Sequence, residues 1–66
     1  MDLKEYIHSL HIQYGYAIPA SLYTKEMQEL FQTYKQQYKN DWLTDDYIWV
    51  LGNIDHFNNN LFEKKK

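Results

Sequence analysis

Sixty-six residues with a net charge of −2 give room for one small domain and one small core. With no cysteine in the chain, disulfide frameworks, zinc ribbons and thiol chemistry are excluded together. Every positive charge is a lysine, so the chain lacks both the positive excess that displaces counterions from phosphates and the arginine fork that reads them.

The first helix is expected over 2–14. Asp2 can cap the opening turn, and Glu5 three residues later gives a capping-box-like pattern. Leu3, Tyr6, Ile7, Leu10 and Tyr14 then recur on one face, and Gly15 can take the left-handed backbone that closes a helix. Residues 15–23 break the pattern. Pro19 pushes Ile18 towards an extended backbone and suits the opening of a short turn through Ala20, Ser21 and Leu22. The apolar Ala17, Ile18, Leu22 and Tyr23 mark this irregular connection as packed against the core.

The second helix is expected over 24–40, capped by Thr24 and carrying Met27, Leu30, Phe31, Tyr34 and Tyr38 on its apolar face. Lys35 and Lys39 favour its negative end. Trp42 and Leu43 form an apolar corner. A third helix over 44–63 begins at Thr44, with Asp45 and Asp46 complementing its positive end. Tyr47, Val50, Leu51, Ile54, Phe57, Leu61 and Phe62 form its stripe. Two features oppose it: Gly52, worth about 1 kcal/mol against alanine in a helix, and the run Asn58–Asn59–Asn60. Tyr47 to Leu51 also reads as a strand, but no second segment could pair with it, so the helix is kept, with a kink allowed at Gly52. The whole of 1–66 is thus expected as one all-α domain, a three-helix bundle.

Two tryptophans, seven tyrosines and three phenylalanines must stabilise that bundle. A chain of this length buries only about 60% of its unfolded surface. Each buried ring removes about 150–250 Å² from water, so aromatic packing takes the place of disulfides or a metal. Pairing with a second copy would serve the same end.

The candidate site lies on the third helix. With Tyr47, Ile54 and Leu61 inward, Trp49 falls nearly opposite, and Ile48, Gly52 and His56 share its outer quadrant. Tryptophan is enriched at interface hot spots, and a glycine lets another backbone approach. The competing reading has the 16–23 connection folding over this quadrant. Ile12, off-stripe on the first helix, joins the candidates if it is continuous with them in space.

Other chemistry is weaker. His8 and His11 stand three apart, with His56 elsewhere, but no carboxylate or thiol spacing accompanies them, so no metal is expected. Ser9 lies between histidines without a nucleophile elbow, and Asp45 and Asp46 read as first-turn charges rather than an acid/base pair. No phosphate-binding glycine loop exists, and no other cofactor is expected. The tyrosines could stack on unpaired bases, but most fall on inward stripes.

The Met1–Asp2–Leu3–Lys4–Glu5 start lacks the pattern of a signal peptide, and the longest apolar run, Tyr47 to Leu51, is too short to span a bilayer; a cytoplasmic location is expected. Lysine in place of arginine, with abundant Asn, Tyr and Ile, fits an AT-rich bacterial or phage gene. The expectation is a non-enzymatic module that binds another protein through Ile48, Trp49, Gly52, His56 and Ile12, or pairs with itself, in the manner of a small phage- or mobile-element-encoded regulator or inhibitor. The alternative is a nucleic-acid-associated regulator, helix-turn-helix-like or an acidic mimic of nucleic acid, which the charge balance disfavours.

Overall fold

The computed structural model describes residues 2–64, with side chains described as far as residue 58. Three helices follow one another, α1 (Leu3–Tyr14), α2 (Lys25–Gln37) and α3 (Asp45–Lys64), with a short 3₁₀ turn at Ala20–Leu22 between the first two. Among the described residues there are no strands. The helices pack on one another as a three-helix bundle, with α2 and α3 sharing the largest interface.

The caps follow from residue type. Asp2 accepts from the Glu5 amide at 2.8 Å, and Thr24 accepts from the Met27 amide at 3.1 Å. Thr44 reaches the Tyr47 amide at 3.4 Å while its own hydroxyl donates to the Asp41 carbonyl at 2.8 Å. Gly15 closes α1 with φ 65° and ψ −102°, a backbone that side chains disfavour, and its amide returns to the His11 carbonyl. Helix α2 stops at Gln37, short of the expected residue 40. Tyr38 leaves helical geometry, and turn hydrogen bonds from Asp41 to Tyr38 and from Thr44 to Asp41 carry the chain into α3.

The core is aromatic, as the composition requires. Ile7, Leu10, Ile18, Phe31, Tyr34, Tyr47, Trp49, Val50, Ile54 and Phe57 are buried together. Phe31 sits at the centre, edge-on to Trp49 at 5.5 Å and tilted against Phe57 at 5.7 Å, while Tyr23 from the connection meets Phe57 at 4.2 Å. Tyr34 packs between Tyr38 and Tyr47. Its phenol finds no hydrogen-bond partner among the described residues. Burial first, then the nearby Asp46 and Asp41 carboxylates, push its pKa up to about 12.

Helix α3 runs unbroken through Gly52, as the helix kept over the strand reading requires. Two expectations are corrected. Tyr6, placed on the inward stripe of α1, is 41% exposed. Most consequentially, the inward face of α3 is wider and turned relative to the Tyr47–Ile54 line, because Trp49 and Asn53, four residues apart, are buried beside Val50, Ile54 and Phe57. The side chains of Leu61 and Phe62, expected in the core, and the lysines at 65 and 66 lie outside the described residues.

Asn53 explains that rotation. Its amide is 1% exposed and bridges two segments: Oδ1 accepts from the Ile18 amide at 2.9 Å, and Nδ2 donates to the Trp49 carbonyl at 2.9 Å. A buried backbone N–H in an irregular segment needs an acceptor, and this side chain supplies it. The 15–23 connection is thereby fastened to α3, with Ile18 packed into the core.

Candidate functional groove

A groove of about 440 Å³ opens where the end of α1 runs past α3. One wall is a single stripe of α3: Asp45, then Ile48, Trp49, Gly52 and His56 at three, four, seven and eleven residues further on. The opposite wall is His11, Gly15 and Tyr16. Four of the five residues expected to share a surface, Ile48, Trp49, Gly52 and His56, do line one groove. Ile12 is 71% exposed but does not border it.

Trp49 holds a different place from the one expected. Its indole does not look away from the bundle: it is 7% exposed, stacks on the His11 ring at 5.0 Å with planes 16° apart, and meets Phe31 edge-on. The rings that cover it come from α1 and α2. The indole forms the base of the groove. Its Nε1–H is buried with no hydrogen-bond partner among the described residues.

The exposed apolar rim comes from Ile48, at 53%, and Tyr16, at 90%. Sequence reasoning missed Tyr16, because the residue after a helix-closing glycine carries no periodicity signal. Gly52, also in the lining, faces open space, with nothing within 4 Å of where a Cβ would be. No close approach inside the chain requires glycine there. Gly52→Ala is therefore expected to stabilise the fold by about 0.5–1 kcal/mol, read as a rise of about 4–8 °C in melting temperature per kcal/mol. A fall in melting temperature would show that the space above Gly52 is filled.

Behind the groove, Asp46 joins α1 to α3. His8 Nδ1 lies 2.8 Å from Asp46 Oδ2, and His11 Nδ1 lies 2.7 Å from Asp46 Oδ1. Since a carboxylate only accepts, both rings place their proton on Nδ1 here. The spacing of His8 and His11 signalled a shared face; the carboxylate comes from a residue read only as a helix-end charge. No group of three or more metal-binding side chains arranged to hold an ion occurs among the described residues. The cluster works as a clamp that also orients the ring stacked on Trp49.

Burial alone would raise the Asp46 pKa, but hydrogen bonds from His11 and His8 and their positive charge together hold it below the usual carboxylate range. A depressed folded-state pKa contributes stability above the unfolded value, near 4 for aspartate. That contribution is lost as pH falls through the lower folded value. Asp46→Asn should thus cost about 1–2 kcal/mol at pH 7. In urea titrations the gap between variant and parent should narrow below about pH 4; a gap constant down to pH 2 would contradict the clamp. The exposed Lys4–Asp41 pair, at 3.6 Å, adds little by comparison.

Elsewhere, Trp42 and Leu43 stand exposed at the α2–α3 corner, at 58% and 75%. Among the described residues no helix is long and apolar enough to cross a membrane. Comparison with family models, with curated proteins and with solved structures finds no match for this chain.

Proposed function

We propose that this chain is a non-enzymatic protein-binding module whose docking surface is the α1–α3 groove. The observation that carries the reading is the groove itself: an aromatic base, an exposed apolar rim at Tyr16 and Ile48, and a helical glycine that opens its floor without serving the fold. Exposed apolar surface gathered around a concavity is the usual mark of an interaction site. Small size, lysine usage and net acidity fit a cytoplasmic regulator or inhibitor encoded by a phage or mobile element and directed at a bacterial host protein.

The test is a matched pair of apolar-to-lysine changes at exposed sites. Ile48→Lys alters the rim; Leu43→Lys alters an exposed apolar residue outside the groove. Immobilised parent and variants are exposed to bacterial lysate, and retained proteins are quantified. A specific protein held by the parent and by Leu43→Lys, but reduced at least about tenfold with Ile48→Lys (about 1.4 kcal/mol), supports the reading. Equal retention by both variants sinks it. Light scattering of the same samples shows whether the captured partner is a second copy.

A further inference from the structure

We propose that the groove receives a basic side chain, a lysine or arginine flanked by apolar residues on a partner protein, with its cation set against Asp45. The inference rests on the protein-binding reading and gives the partner's chemistry. Three aspartates cluster between the α2–α3 corner and the first turn of α3, and their circumstances differ. Asp41 pairs with Lys4, and Asp46 holds His8 and His11. The Asp45 side chain makes no hydrogen bond or ion pair with any described residue, yet it is the one that lines the groove. No lysine stands among the lining residues, and the His11 imidazole on the opposite wall is engaged by Asp46 rather than Asp45.

The rest of the lining suits the same occupant. Tyr16 and the Trp49 indole border the space. Aromatic faces attract cations, and Ile48 and Tyr16 can pack on the methylenes that carry a lysine or arginine head. Asp45 and Trp49 are four apart on α3, so their side chains are neighbours along one line. A phosphate or an acidic segment would face the Asp45 charge directly and is disfavoured.

The full chain, ¹⁵N-labelled at pH 8, is titrated with three capped tripeptides, acetyl-Leu-Arg-Leu-amide and its Gln and Glu counterparts. The arginine peptide is expected to move the Gly15 and Gly52 amides and the Trp49 indole resonance saturably, and to bind about fivefold more tightly than the glutamine peptide. Asp45→Asn should erase that preference. Asp55→Asn, which removes the same unit of charge from an exposed site outside the groove, should keep it. Equal binding of the arginine and glutamine peptides overturns the inference, as does loss of the preference in both variants; each leaves groove docking standing. Absence of any shift at those resonances with the arginine peptide also overturns it, while the Ile48→Lys capture comparison decides the docking reading independently.

Discussion

Trp49→Ala is expected to cost about 3–5 kcal/mol, enough to leave much of the population unfolded at 25 °C. A domain of this length has a total stability of only about 3–10 kcal/mol, and the indole lies where all three helices meet. It stacks on His11 of α1 and abuts Phe31 of α2, which in turn leans on Phe57 of α3. Removing it strips a partner from each of two rings and opens a hole beneath an existing groove. Water entering from the groove side keeps the loss nearer the lower bound, because the cavity need not stay empty. Trp49→Phe separates packing from polarity. It keeps an aromatic face for His11 and discards an N–H that has no hydrogen-bond partner among the described residues, so it should cost no more than about 2 kcal/mol. Urea denaturation followed by circular dichroism reads both. If Trp49→Ala melted within a few degrees of the parent, the indole would not be a structural ring.

The helices were legible because each signal was local. Asp2, Thr24 and Thr44 announce starts through their own side chains, Gly15 announces a stop, and the turn after Pro19 follows from its ring. What failed was the rotation of α3. Periodicity gives a stripe but weighs its edges by hydrophobicity, and the inward arc of α3 is bounded on one side by an asparagine. A polar residue at 1% exposure cannot be told in sequence from one on the surface, since its burial depends on an amide thirty-five residues away. Asp46 hid for the same reason: its histidine partners belong to another helix. Four groove residues were nevertheless found together, because helical spacing alone fixes which positions on α3 adjoin. Their partners across the groove, His11, Gly15 and Tyr16, come from the packing of α1, which spacing does not encode.

Asn53→Leu, which keeps roughly the side-chain volume while removing both polar ends, is expected to cost about 2–3 kcal/mol. The two lost hydrogen bonds are not equivalent. The Trp49 carbonyl retains its ordinary helical partner, the amide four residues on, so losing the Nδ2 donor strands nothing. The Ile18 amide has Asn53 Oδ1 as its acceptor, and without it a donor stays buried and unsatisfied unless the segment lifts off. The damage should therefore be regional. Hydrogen exchange should show the Ile18 amide losing protection in the variant by far more than amides in the middle of α2, where Phe31 and Tyr34 remain packed. Uniform loss across all three helices would mean that Asn53 supports the core at large rather than the connection. Because Gly15 and Tyr16 lead into Ile18, a loosened connection also moves one wall of the groove. Asn53→Leu should then broaden the Gly15 and Tyr16 resonances while leaving those of Asp45 and Ile48 sharp, since the wall on α3 is held by the helix itself.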